Sequence, residues 1–303
     1  MGAHVALAAG TYVLSKLATD GFASVEALIL ARALGTTLVL LALSGSVIPR
    51  PDFDGRTWGA LLLLGILVVP INQYAFLGGL KASVPGHSAL LYALTPLGVL
   101  LLSSLLERRA PPRRKLAGVL VALAGAVVVL RPWARGAEAA SMRRGDLLLL
   151  VAVAAWVIYT VAIRGLCRRH DPRAVTAWTL ILGSMAMMPL GGRAMKTLEW
   201  AAIPASAWWG LIWMIVVSSV VMMLLWSTLL RHLPPVQVAI CMNAQPPATA
   251  LLQTLLATAG LVEYREPLGL PFLAGMVLVL AGVALVQRTG ALAPGPVAAA
   301  PPK

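Results

Sequence analysis

Residues 116–131, LAGVLVALAGAVVVLR, return with few changes as residues 273–288, LAGMVLVLAGVALVQR. The offset is constant across the segment, since 273 − 116 = 157 and 288 − 131 = 157. Working back from it, Leu80-Lys81, Pro85 and Pro96 recur as Leu230-Arg231, Pro235 and Pro246, now offset by 230 − 80 = 150. The second copy therefore carries about seven extra residues, around 260–267. Leu, Ala and Gly are abundant here, so isolated matches among them mean little. Ordered agreement over two segments, with prolines at equal depth, marks an internal duplication.

The duplicated segments are apolar throughout, and so is most of the chain. Hydrophobic residues make up 59% and charged residues 12%, against roughly 25% charged in ordinary globular chains. A water-surrounded core cannot absorb that much apolar surface, whereas a bilayer solvates it from outside. Ten apolar runs lie near 3–18, 24–46, 58–80, 84–106, 116–131, 146–166, 174–191, 207–231, 236–260 and 268–287. Most approach the roughly 20 residues that span a hydrocarbon core. They do not alternate as barrel strands must, so each reads as a helix. The expected fold is an all-α polytopic membrane protein of about ten transmembrane helices, built as two five-helix repeats. Residues 1–131 form the first repeat, 132–145 a linker, 146–288 the second repeat, and 289–303 a disordered Ala/Pro-rich tail. Because five is odd, the second copy enters the membrane inverted, a plan that puts a ligand site near the midplane between the halves.

The net charge of +13 does not point to nucleic acid, because the basic residues sit in short clusters between apolar runs. Lys and Arg instead report topology. With the N-terminus inside, cytoplasmic loops and tail hold fourteen of them and the other side eight, so both termini are expected in the cytoplasm. Neither Cys167 nor Cys241 belongs to a CxxC pair, and the four His residues are scattered; no metal, cofactor or redox role is expected. The N-terminus lacks a basic n-region and reads as a retained first helix.

Several of these segments resemble a known pattern. Asn72-Gln73-Tyr74 through Leu80-Lys81-Ala82-Ser83, then Ala89 to Pro96 and the Glu107-Arg108 helix end, are similar to the first EamA-type repeat. Gly10, Lys16 and Arg32 fit the same pattern, and Ala155-Trp156 through Tyr159-Thr160 and Arg164 resemble the start of its second copy. Ala9 stands where a Trp is common, and Glu263 and Glu266 come only after an extension. The resemblance is to the drug/metabolite transporter superfamily. It implies a ten-helix carrier in a bacterial inner membrane with both termini cytoplasmic, moving amino acids, related metabolites or nucleotide-linked sugars, as monomer or homodimer.

Candidate site residues follow from polarity inside apolar runs. Ser88, Tyr92, Thr95 and Ser103 make a polar stripe at helical spacing, continued in the second copy by Gln245, Thr249 and Gln253. In lipid such groups face either a wet cavity or a neighbouring helix. Pro96 and Pro246 sit at equivalent positions and open two readings, gating joints or ordinary kinks. His87, Asn72, Tyr74, Trp156, Tyr159, Trp226 and Asn243 add amides and aromatics at the same level, a lining suited to an amphipathic solute. Trp200, Trp208, Trp209 and Trp213 read as an interfacial belt. Arg32, two turns into its helix, either attracts an anion or snorkels to the surface. All eleven acidic residues are expected in loops or near helix ends, with Glu26 the deepest, which disfavours proton-coupled export of cations. The expected activity is alternating-access transport of a small metabolite, by export, facilitated diffusion or exchange. No catalytic residues are expected; the competing classes are a membrane-embedded enzyme or a scramblase acting on lipid-linked substrates.

Overall fold

The computed structural model describes residues 2–49, 51–108, 110–130, 133, 136–260 and 269–288. The expected tail, the extension with Glu263 and Glu266, and Arg131 lie outside the described residues. Ten helical segments follow one another: α1 (Gly2–Gly21), α2 (Val25–Ala42), α3 (Gly55–Ala82), α4 (Pro85–Leu106), α5 (Arg113–Leu130), α6 (Ala137–Arg169), α7 (Pro172–Lys196), α8 (Ala205–His232), α9 (235–258) and α10 (Leu270–Arg288). Among the described residues no strand forms. Six helices, α2, α3, α4, α6, α7 and α8, are by themselves long and apolar enough to cross a membrane, and α10 holds a shorter apolar stretch.

Local chemistry sets the helix ends. Ser24, Asp54 and Asp171 cap α2, α3 and α7, each accepting a hydrogen bond from a first-turn backbone N–H, which satisfies a donor the helix itself leaves unpaired. α6 begins at Ala137, earlier than its apolar run, because Ala137, Ala139 and Ala140 are strong helix formers and Gly136 supplies the φ of +110° that starts the turn.

Two kinds of irregularity recur in both halves. α3 contains a π-helical turn at Leu67–Ile71, around Pro70, and α8 contains one at Met214–Met222. Offset by 150, the first falls at 217–221, inside the second. α4 breaks at Ala93-Leu94, just before Thr95-Pro96, and α9 loosens into a 3-10 turn, Ile240–Ala244, just before Gln245-Pro246. A proline has no N–H to give and its ring crowds the carbonyl one turn earlier, so the break lies upstream of each.

The helices pack across the repeats. α2 lies against α7, α1 against α8, α3 against α6, and α5 against α10. The last pair meets backbone to backbone. A Cβ added to Gly118 would lie 2.6 Å from the Gly282 carbonyl oxygen, and one added to Gly125 2.7 Å from that of Gly275. Both sums are 400 (118 + 282 and 125 + 275), so position rises along α5 as it falls along α10: the helices run antiparallel. Exchanging copies by 157 turns one contact into the other, which is the signature of a two-fold relation between inverted halves. Large apolar side chains such as Leu38, Leu63, Leu105 and Val277 point outward, while Arg32, Asn72, Thr95, Gln245 and Thr249 are buried. That polarity is inverted relative to a soluble protein and suits lipid outside and polar groups within.

Candidate functional site

A cavity of about 110 Å³ lies at the middle of the bundle, between α1, α2, α3, α4, α6, α8 and α9. Arg32, Asn72, Tyr92, Trp156, Trp226 and Gln245 line it, all singled out in the sequence. Tyr12, Gln73, Phe76, Ser218 and Met222 line it too.

Arg32 is on the face of α2 that also buries Leu28, Ile29 and Thr36. It does not snorkel: its residue is only 8% exposed. Its Nε donates to Ser219 Oγ at 2.8 Å, Nη2 to Ser218 Oγ at 3.2 Å, and Nη1 to Gln73 Oε1. Gln73 Nε2 donates to Asn72 Oδ1 at 3.0 Å, and Asn72 Nδ2 to the Ala152 carbonyl at 2.7 Å and to the Tyr92 hydroxyl at 3.2 Å. Ion pairs such as Lys16–Asp20, His87–Asp146 and Arg173–Asp171 lie elsewhere, and among the described residues none is made by Arg32. The guanidinium is thus held by neutral dipoles, with no carboxylate among its described partners.

Much of the remaining lining is aromatic. Trp156 and Trp226 lie 5.4 Å apart between ring centroids, and Tyr12, Phe76 and Tyr92 form an edge-on cluster with spacings of 5.6 to 6.1 Å. Phe76 and Trp226 are repeat equivalents (76 + 150 = 226), so each copy contributes an aromatic ring to the lining. Tyr12 donates to Gln245 Oε1 at 3.0 Å. The Trp156 indole N–H is buried with no hydrogen-bond partner among the described residues, an unspent donor in a residue of the cavity lining.

Other expected residues lie elsewhere. Tyr74 is 46% exposed on the outer face of α3, because two residues from Asn72 a helix has turned away. Ser88 donates back to the Val84 carbonyl. Tyr159 stacks on Trp156 at 5.4 Å behind the lining. The Thr95 hydroxyl and Asn243 Oδ1 are buried without hydrogen-bond partners, beside the two helix breaks. In the tryptophan group, Trp209 is exposed, but Trp213 turns inward and donates to Thr11 Oγ1. His87 faces a carboxylate, and here the sequence expectation fails. Among the described residues Asp146 lies deeper than Glu26: it is 1% exposed and accepts from Ser83 Oγ at 2.5 Å, with His87 Nδ1 at 3.0 Å. The helical start at Ala137 carries Asp146 well inside α6, whereas the apolar run alone had placed it at a helix end.

Tyr12, Ser218 and Ser219 had no strong sequence signal. The adjacent serines were the available clue, a hydroxyl pair inside an apolar run whose repeat equivalents, Val68 and Val69, carry none. Among the described residues, no group of three His, Cys, Asp or Glu could hold a metal ion.

The sequence model of the EamA-like transporter family matches residues 2–131 and again residues 143–288. The chain belongs to the EamA-like transporter family. Relatives similar to it are an "Uncharacterized transporter YyaM" of Bacillus subtilis (strain 168), 22% identical over 73% of this chain and 70% of the relative, and an "Uncharacterized transporter" of Archaeoglobus fulgidus, 26% identical over 74% and 76%. A solved structure described as "Crystal structure of protein" shares the fold, with TM-score 0.60 and 20% identity over 95% of this chain and 98% of that one. An EamA-like transporter is a multi-pass integral membrane protein whose work is to move a solute, so its lining needs groups that bind and release rather than groups that react.

Proposed function

We propose that the chain carries a small carboxylate-bearing metabolite, an amino acid or similar amphipathic solute, by alternating access between its two inverted halves. The observation that carries this reading is Arg32: a buried guanidinium, hydrogen-bonded among the described residues to Gln73, Ser218 and Ser219, on the wall of the central cavity. A carboxylate on Nη1 and Nη2 cancels a charge that is otherwise expensive to keep from water. The Trp156 N–H suits a further oxygen, and Trp226, Phe76 and Met222 take the apolar body. A cationic solute meets repulsion from Arg32 and finds no carboxylate in the lining. The volume of about 110 Å³ is below the roughly 300 Å³ at which drug-sized sites begin, which favours a compact metabolite. The excess of basic residues on the loops of the terminal side fits a bacterial plasma membrane with both termini in the cytoplasm.

Flux into proteoliposomes tests this. Purified protein is offered amino acids and short carboxylates, their amides, and small organic cations. Saturable flux of carboxylates, at least tenfold weaker for the amides and abolished by R32Q, is the expected result. Equal transport of amides or cations, or normal carboxylate flux by R32Q, overturns the proposal.

A further inference from the structure

A second opening lies on the outside of the bundle and shares no lining residue with the central cavity. It is a groove of about 440 Å³ along α4, α5 and α6, and every residue that lines it is apolar, among them Leu97, Leu101 and Leu105 of α4, Leu123 of α5, and Ala154 and Ile158 of α6. Leu101, Leu105, Leu123 and Ile158 are exposed, so the groove opens toward lipid. From Leu94 to Leu105 it follows α4 for eleven residues (105 − 94 = 11), about 16 Å of helix. That is close to half of the roughly 30 Å hydrocarbon core, the depth of one leaflet. A single acyl chain matches that length.

The Leu105 end of the groove is basic. A Cβ added to Gly98 would lie 2.7 Å from Val157 Cγ2, and His87 meets Asp146. Both offsets are 59 (157 − 98 and 146 − 87), so α4 and α6 run parallel in one register, and Leu105 lies level with Arg164 (105 + 59). Arg164 Nε is buried with no hydrogen-bond partner among the described residues. The short loop after α4 returns the chain to the same face, where α5 opens with Arg113, Arg114 and Lys115. Lys115 stands one turn before the groove-lining Val119, is 6% exposed, and makes no ion pair among the described residues. Arg108 and Arg168 add to the set, and the acid among the described residues at these helix ends is Glu107, within electrostatic reach of Arg164. We propose that the groove binds one anionic phospholipid, its acyl chain along α4 and its phosphate among Arg113, Lys115 and Arg164. Guanidinium and ammonium donors suit phosphate oxygens, and a headgroup with no cation of its own keeps the whole attraction. Phosphatidylcholine instead brings a quaternary ammonium against the arginines. A second copy of the chain is a poorer occupant, because a two-fold axis along the membrane normal would set a second basic end beside the first. The groove begins at the Ala93-Leu94 break in α4, so a bound chain props the half of α4 beyond that break against α5 and α6.

The test reads binding and needs no transport, so its failure is separable from that of the anion-carrier reading. Native mass spectrometry of the purified full chain in detergent micelles is run against phosphatidylglycerol and phosphatidylcholine with identical acyl chains. The expected spectrum shows one phosphatidylglycerol per chain, with an apparent Kd lower than that for phosphatidylcholine by about tenfold or more. Glycerol phosphate, the headgroup without chains, is expected not to displace it even in large excess. L101W fills the groove from a lipid-facing position and is expected to weaken binding of both lipids. K115Q/R164Q is expected to erase the preference while the weaker, chain-driven binding stays. Equal affinity for the two lipids in the native chain overturns the proposal, whether or not the variants fold. So does a preference that survives K115Q/R164Q, or displacement by glycerol phosphate. Lipid adducts confined to a dimer would also overturn it, because the groove would then be a contact between copies.

Discussion

At Arg32 the energetics of folding and of binding pull apart. The guanidinium is buried against neutral partners, so R32Q removes a desolvated charge without orphaning a counter-ion. Thermal unfolding in detergent is expected to leave R32Q at or above the wild-type midpoint, while affinity for a carboxylate solute falls at least tenfold, about 1.4 kcal/mol. A variant that both unfolds early and binds normally would make Arg32 a structural residue. Trp156 gives a milder case. W156F keeps the ring against Trp226 and deletes the unpartnered indole N–H. One lost hydrogen bond is worth about 0.5–1.5 kcal/mol, so the apparent KM should rise roughly two- to twelvefold with little change in unfolding. Arg32 and Trp156 were legible because each departs from an apolar surrounding. Tyr12 and Ser218 were not, since a serine hydroxyl in a membrane helix is satisfied equally well on its own backbone and a tyrosine equally well at the lipid interface. Only the packing of α1 and α8 against the other half brings these two to the cavity.

Close approach governs at the scale of the helix. Gly125 faces the Gly275 carbonyl oxygen and the Val279 amide nitrogen, each 2.7 Å from where a Cβ would stand. Backbone atoms cannot rotate aside, so G125L must push α5 and α10 apart. Overpacking of this kind costs about 1–3 kcal/mol or more, read as a lowered unfolding midpoint. Gly59, within α3, meets nothing within 4 Å; G59A is expected to be neutral or stabilising by up to about 1 kcal/mol. A comparable loss in both variants would mean that the close backbone contact at Gly125 does not set the effect. The glycine spacing of α5 and α10 could be read from the repeat itself. The depth of Asp146 could not, because hydropathy marks where lipid begins and not where a helix begins. Arg143 and Arg144 beside it read as a loop boundary, although the helix had already started at Ala137.

The inversion of the halves is a property of the whole molecule and makes a claim about distance and sidedness that no single helix makes. Sequence alone supplied the duplication and, from its odd helix count, the inversion. It could not say which apolar faces meet, because lipid and helix neighbours accept the same side chains. The register of α5 against α10 now does. If paired positions sum to 400, Leu116 lies level with residue 284, beside Leu285, and fourteen residues from Leu270, about 21 Å of helix. All three side chains are exposed, so their replacement leaves the interface intact. A short bifunctional thiol reagent is expected to join L116C to L285C and not L116C to L270C. A parallel arrangement reverses the outcome, since the offset of 157 sets Leu116 level with residue 273. The same inversion puts the repeat equivalents Lys81 and Arg231 on opposite faces. Impermeant labelling of K81C and R231C from one side of oriented vesicles should mark one and spare the other. Labelling of both from one side would remove the two-fold relation, and with it the alternating-access route through Arg32.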